Sequence, residues 1–275
     1  MMDRAEQIKK AEAFQAMHQG PGILVLPNAW DVISAHLIVR AGFGAVATTS
    51  GGCAHSLGYP DGEYISGDEM GAAIGRIAQA VAVPVTADME ACYATAPEDV
   101  ARLVRAVIDA GAVGINIEDA NREVGLFDRT LAIERIQAAV EAVKASGVPA
   151  LINARTDCFH VPEPASAFDE GAARLNAYLE AGAGCAFAIF VRDGDTIARL
   201  AKAVDGPLNI LPGPDSPSVA ELESMGVRRV TVGGAIARAA LTAAERAIEE
   251  LRDTGTYEFA RGILAQPAMN KLVAG

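Results

Sequence analysis

Eight short apolar runs, each followed by a helix-like stretch, recur without interruption along this chain of 275 residues. The runs occupy residues 23–26, 44–49, 84–88, 113–118, 150–155, 185–191, 207–211 and 228–232. Helical patterns fill the intervals: a segment through residue 39, then 67–81, 97–110, 130–146, 164–181, 196–204 and 218–225. Strand–helix alternation with nearly continuous apolar strands predicts a parallel sheet covered on both faces. Eight such units in one series predict an α/β fold of the (β/α)8 TIM-barrel type rather than an open sheet. The length suits one barrel domain over residues 1–275, with no low-complexity linker to divide it. An amphipathic helix over 4–18 leads in and is broken by Gly20-Pro21-Gly22. A C-terminal helical extension over 234–273 is available to cover the barrel floor or to reach a partner subunit.

Composition narrows the function. A formal charge of −12 argues against a nucleic-acid footprint, which needs a basic surface. Cys53, Cys92, Cys158 and Cys185 are widely spaced and form no CxxC pair, so neither a disulfide framework nor a zinc site is expected. No signal-peptide pattern or membrane-length apolar run is present, and the expectation is a cytoplasmic protein without membrane partners.

The stretch 84–119 carries the strongest chemical signal. Two apolar runs end in carboxylates, Asp88 and Glu90 on one, Glu118 and Asp119 on the other. As parallel neighbours they would emerge at one sheet edge, where oxygen ligands without histidine select a hard cation such as Mg²⁺. Taken singly, each acid could equally be a solvated strand end or a helix cap. Catalytic groups of barrels sit at the C-terminal strand ends. That rule selects Ser50, Gly51, His55 and Asp61; Asp88, Glu90 and Cys92; Glu118 and Asp119; Asn153, Arg155 and His160; and Gly233 and Gly234.

Arg155 ends an apolar strand, where it is either a bidentate clamp for a carboxylate or an internal ion-pair partner of Glu118 or Glu90. Ser50-Gly51-Gly52 offers backbone N–H groups to an anionic oxygen, or is a plain tight turn. His55 and His160 are acid–base candidates or hydrogen-bonded loop histidines. Cys53 and Cys92, near carboxylates that would raise a thiol pKa, are expected to be structural. All five lysines lie in predicted helices or tails, which argues against a Schiff-base mechanism, and no GxGxxG follows a strand. A phosphate cup at the glycines after the last two strands is the weaker alternative, because Pro212 and Pro214 flank Gly213.

In order and spacing, Ser50-Gly51-Gly52, Asp88-Met89-Glu90, Ile117-Glu118-Asp119 and Asn153-Ala154-Arg155-Thr156-Asp157 resemble the isocitrate lyase/phosphoenolpyruvate mutase superfamily. Leu211-Pro212-Gly213-Pro214 and Val232-Gly233-Gly234-Ala235 resemble its mutase-like branch, and the similarity covers about residues 28–240. The resemblance implies a barrel whose last helix is swapped between subunits of a homodimer or homotetramer. It implies Mg²⁺, with Mn²⁺ as a substitute, near Asp88, with Asp61, Glu90 and Glu118 holding it directly or through water. It also implies a small 2-oxo or 2-hydroxy carboxylic acid bound by the metal, the backbone of Ser50–Gly52 and Arg155.

The departures bear on the reaction. Lyases of the superfamily carry a Lys-Xaa-Cys-Gly-His-like loop after the fourth strand, and the phosphonopyruvate enzymes a lysine-bearing one. Residues 120–128 here contain no cysteine, histidine or lysine, and Cys92 and Ala94 stand where glycines are usual. The leading expectation is Mg²⁺-dependent C–C cleavage in a small 2-oxo or 2-hydroxy di- or tricarboxylate, with oxaloacetate-type decarboxylation attractive because it needs no cysteine acid. Tyr93, His55 or a metal-bound water would handle the proton. The alternatives are P–C bond chemistry on phosphonopyruvate and a barrel that binds a 2-oxo acid without turnover.

Overall fold

The computed structural model describes residues 3–273. Its strands are β1 (Leu24–Leu26), β2 (Asn28–Ala29), β3 (Val46–Thr48), β4 (Val85–Asp88), β5 (Gly114–Glu118), β6 (Ala120–Asn121), β7 (Gly125–Leu126), β8 (Leu151–Thr156), β9 (Cys185–Ala188), β10 (Leu208–Ile210) and β11 (Arg229–Thr231). Nine of them form one sheet in the order β1-β11-β10-β9-β8-β5-β4-β3-β2, with every pairing parallel. Only Pro27 separates β1 from β2. It lacks an N–H, but its carbonyl accepts from Ala47 N at 3.1 Å. One stretch therefore pairs with β11 through its first half and with β3 through its second, which closes nine strands into eight staves.

The helices are α1 (Arg4–Gln19), α2 (Val32–Arg40), α3 (Ser50–Ser56), α4 (Gly67–Ala80), α5 (Pro97–Asp109), α6 (Arg129–Ser146), α7 (Phe168–Glu180), α8 (Gly194–Ala203), α9 (Val219–Met225), α10 (Ala235–Asp253) and α11 (Gln266–Val273). Their starts follow local chemistry. Asp31, Ser66 and Ser218 build reciprocal capping boxes, and Pro97 opens α5.

Three segments differ from the sequence expectation. Residues 164–167 are a 3₁₀ turn, so α7 starts later. Residues 255–273 are helical only at 258–260 and in α11. Residues 120–126 form a small antiparallel hairpin, β6–β7.

Helix α1 lies under the N-terminal end of the barrel. A Cβ on Gly114 would come within 2.6 Å of Phe14 Cε1 and of Thr86 Oγ1, so glycine is what lets Phe14 seat there. The staves alternate in character. Ile115, Ile117, Ile152, Ala154, Ile210 and Val230 are buried in the apolar core, whereas Thr86, Asn116, Asn153, Asn209, Arg229 and Thr231 line the interior.

The two C-terminal helices, α10 and α11, bury little, and α11 buries nothing. Only Ala237 of α10 is buried, and Leu241, Ile248 and Leu251 are exposed. No helix of the described residues is long and apolar enough to cross a membrane.

Candidate active site

A cavity of about 390 Å³ opens at the C-terminal ends of the strands. Asp88, the last residue of β4, sits at its centre with both carboxylate oxygens committed. Oδ2 accepts from Ser50 N at 2.9 Å and Oδ1 from Asn116 Nδ2 at 2.9 Å. Ser50, Gly51 and Gly52 form the first turn of α3 rather than a plain tight turn, and the Ser50 amide already holds Asp88. The glycines are needed for close packing. A Cβ on Gly51 would lie 2.8 Å from Asp61 Cγ, and one on Gly52 would lie 2.7 Å from Trp30 Cβ and Thr49 Cγ2.

The chain after Asp88 is strained. Glu90, Cys92 and Tyr93 all have left-handed φ, at 49°, 58° and 50°. Each such non-glycine residue costs about 1–3 kcal/mol and persists only where its surroundings hold it. Arg135 of α6 supplies the hold. Its buried guanidinium donates to the carbonyls of Ala91 (2.6 Å), Thr95 (3.0 Å) and Ala94, and rests on the Phe127 ring.

In this turn Tyr93 Oη donates to Glu90 Oε1 at 2.9 Å, and Tyr93 N donates to Glu63 Oε1 at 2.6 Å. Burial, then the charges of Asp88 and Asp61, push the Glu90 carboxyl up to about 8. Burial and Glu90 also drive the Tyr93 phenol far above its ordinary range, so it stays a neutral donor.

Arg155 makes the internal ion pair with Glu118 that its strand-end position allowed. Nε and Nη2 grip Asp157 in a fork at 2.8 and 2.7 Å, and Nη1 contacts Glu118. Burial raises the Glu118 carboxyl, and Arg155 opposes that rise. Asp119 does not join the acid cluster. It points into the wall, 3% exposed, and accepts from Thr156 Oγ1 (2.7 Å), Asp157 N (2.8 Å), Tyr178 Oη (2.6 Å) and Arg174 Nη1 (3.1 Å).

Below Asp88 runs a chain of amides with a fixed polarity. Asp88 can only accept, so Asn116 must donate with Nδ2 and present Oδ1. Asn153 Nδ2 then donates to that oxygen at 2.9 Å. The chain ends on Asn153 Oδ1, which has no partner. Thr86 Oγ1 and Arg229 Nε, on residues that line the same cavity, have none either.

The structure brings Ser50, Gly51, Gly52, His55, Asp61, Asp88 and Arg155 together around the cavity. Glu90, Glu118 and Tyr93 stand behind that lining, Glu118 against Arg155 and Tyr93 on Glu90. His160 does not line the cavity: its ring packs tilted against Phe190, with centroids 4.5 Å apart, and its backbone N–H donates to the Asp157 carbonyl at 2.8 Å. All four cysteines are free and buried, and burial lifts Cys53 and Cys92 to about 12, so neither is a nucleophile. The sequence reading missed Arg135, Asn116, Arg174 and Arg229. Asparagine at alternate positions within apolar runs was the available signal for Asn116.

The donor set fits a hard divalent cation. Burial and Asp88 raise Asp61 as well as Glu90, which means negative charge is crowded here beyond what Arg155 neutralises. Among the described residues, no three His, Cys, Asp or Glu side chains converge closely enough to enclose an ion alone. The fit is therefore to an ion such as Mg²⁺ that keeps several waters.

Residues 14–252 match the family model described as phosphoenolpyruvate phosphomutase. The chain is 31% identical over 260 residues to 2-methylisocitrate lyase of Escherichia coli K12, covering 90% of this chain and 86% of that one. It is 32% identical over 217 residues to 2,3-dimethylmalate lyase of Eubacterium barkeri, covering 74% and 73%. A solved structure of oxaloacetate acetylhydrolase with the product oxalate superposes with a TM-score of 0.88 at 25% identity, covering 97% and 94%.

Proposed function

Because the chain belongs to the phosphoenolpyruvate phosphomutase family, within the isocitrate lyase/phosphoenolpyruvate mutase superfamily, we propose that it cleaves a C–C bond in a small 2-oxo or 2-hydroxy carboxylic acid with the help of Mg²⁺. The observation that carries this reading is that Asp61 and Asp88 line one cavity with Glu90 behind them, near enough that the charge of Asp88 adds to burial in raising both Asp61 and Glu90. When bound, the cation would supply Lewis-acid stabilisation of the enolate left by bond cleavage. Asp88 would hold it, with Asp61, Glu90 and Glu118 acting directly or through water. The named activities of the relatives, lyases and an acetylhydrolase of small carboxylic acids, support the same class of chemistry.

The other roles fall to this chain's own residues. Arg155, braced by Asp157, presents its remaining N–H groups to the substrate carboxylate, alongside the first turn of α3. Proton transfer belongs to His55 rather than Tyr93. His55 is exposed at the mouth and its charge acts on Asp61, whereas the Tyr93 proton is held by Glu90.

The test incubates the protein with Mg²⁺ and a panel including oxaloacetate, methylisocitrate and phosphonopyruvate, with products followed by NMR. Turnover that disappears in Asp88→Ala supports the reading; no CO₂ and no 2-oxo acid from any substrate sinks it. The family model's mutase description favours a second reading, P–C bond chemistry. Inorganic phosphate or phosphoenolpyruvate formed from phosphonopyruvate would put that reading first.

A further inference from the structure

We infer that Asp119 is a positioning residue for Arg155: held by Tyr178 and Arg174 of α7, it fixes residues 156–157, and through Asp157 it sets where the guanidinium stands at the cavity wall. The inference rests on the clamp role proposed above for Arg155 and names what sets that clamp.

Arg155 is a long side chain with many rotamers, and a carboxylate clamp works best when its fork is oriented before the ligand arrives. Asp157 does the orienting, with its two oxygens accepting from Nε at 2.8 Å and Nη2 at 2.7 Å. Asp157, however, lies past the end of β8. The pairing of that strand with β9 stops at Thr156, and with β5 at Arg155, so the sheet no longer holds the chain there. The Asp119 carboxylate takes over. Its Oδ1 accepts from Asp157 N at 2.8 Å and its Oδ2 from Thr156 Oγ1 at 2.7 Å, so one side chain grips two consecutive residues.

Asp119 is itself fixed. Its backbone carbonyl accepts from Phe127 N at 2.8 Å, and Oδ2 also accepts from Tyr178 Oη at 2.6 Å and Arg174 Nη1 at 3.1 Å. Glu170 Oε1 accepts from Arg174 Nε at 2.7 Å and keeps that guanidinium in place. Asp119, Arg174 and Tyr178 are all buried. A buried ion pair of this kind is a weak source of stability, since apolar residues of similar volume often serve as well. What it supplies here is geometry. Of these groups only Arg155 lines the cavity, so the others reach a bound acid through it.

The test is a double-mutant cycle on oxalate binding, measured by calorimetry at saturating Mg²⁺, with Asp119→Asn, Arg155→Gln and the two combined. Asp119→Asn keeps the shape of the side chain but replaces one acceptor oxygen by a donor. It should weaken oxalate about tenfold, the scale of one charge-assisted hydrogen bond. It should add nothing to the loss in Arg155→Gln, because a residue that acts through Arg155 has no effect once the guanidinium is gone. Mn²⁺ affinity without oxalate, read by electron paramagnetic resonance, should stay at the wild-type value. Tyr178→Phe deletes only a hydroxyl and should show the same pattern at smaller size, which keeps the question answerable if Asp119→Asn does not fold. Losses that add across the cycle, oxalate binding that neither variant changes, or Mn²⁺ and oxalate affinities that fall together overturn the inference while the clamp reading stands. Oxalate that fails to bind wild type, or binds Arg155→Gln as tightly, overturns the clamp reading and this inference with it.

Discussion

Ser50 and Asp88 lie 38 residues apart in different β/α units, yet the Ser50 amide donates to Asp88 Oδ2 at 2.9 Å. The first turn of α3 therefore orients the central acid, and its glycines let it approach. Gly51→Ala would put a methyl carbon 2.8 Å from the Asp61 carboxyl. We expect at least a tenfold loss of Mg²⁺-dependent turnover, with a cost of about 1–3 kcal/mol in thermal stability. Denaturation curves beside rate measurements separate the two effects.

Asn116→Leu removes the link between Asp88 and Asn153. Two buried polar groups lose a partner, at about 1–3 kcal/mol each. Metal affinity should fall because Asp88 is free to rotate. Titration with Mn²⁺, followed by electron paramagnetic resonance, measures this directly, and unchanged affinity would remove the positioning role.

Arg155→Gln strips the shared cation from Glu118 and Asp157, both about nine-tenths buried. Leaving buried carboxylates unpaired costs about 3–5 kcal/mol. Urea unfolding should show that loss at pH 7 and a smaller one at pH 4, where the acids can take up protons.

Glu90 gives the apo protein a pH signature. Its carboxyl titrates near 8 in the fold, against an ordinary 4.5. The folded state thus keeps a proton that the unfolded chain releases. Stability from this group is complete below about 4.5 and is lost as pH rises to about 8. A cation bound beside the ionised form reverses the trend, so added Mg²⁺ should raise the melting temperature more at pH 8 than at pH 6. Glu90→Gln should flatten both slopes in a thermal-shift series.

The exposed apolar residues of the C-terminal segment point to a partner subunit. Ile248 is 67% exposed, Ile263 65% and Tyr257 69%, more than isolated surface residues explain. Sedimentation should find a homodimer or homotetramer, and Ile248→Asp combined with Leu251→Asp should shift it toward monomer. A wild-type monomer at micromolar concentration would exclude a helix swap.

The barrel was legible because strand–helix alternation is local. Runs such as Gly-Ile-Asn-Ile-Glu at β5 declare both their strand period and the acid at their end. Asp61, Asp88 and Arg155 could be placed at the mouth for the same reason. Glu118 was one of the two ion-pair partners read for Arg155, but the grip of Arg155 on Asp157 and the contacts of Asp119 could not be read. Asp119 lies one position past the end of β5, in the bend before β6, and its side chain turns toward Tyr178 and Arg174 of α7. Arg135 looked like one more helix arginine, and only the packing of α6 against the turn after β4 turns it into a clamp.

The sequence by itself determined the period, the number of β/α units and the acids and arginine at the strand ends, since these follow from side-chain alternation and strand direction. The tertiary structure alone decided which acids meet and which are paired. Those outcomes depend on burial and on contacts between residues tens of positions apart, as when Arg155 is engaged by Glu118, 37 positions away.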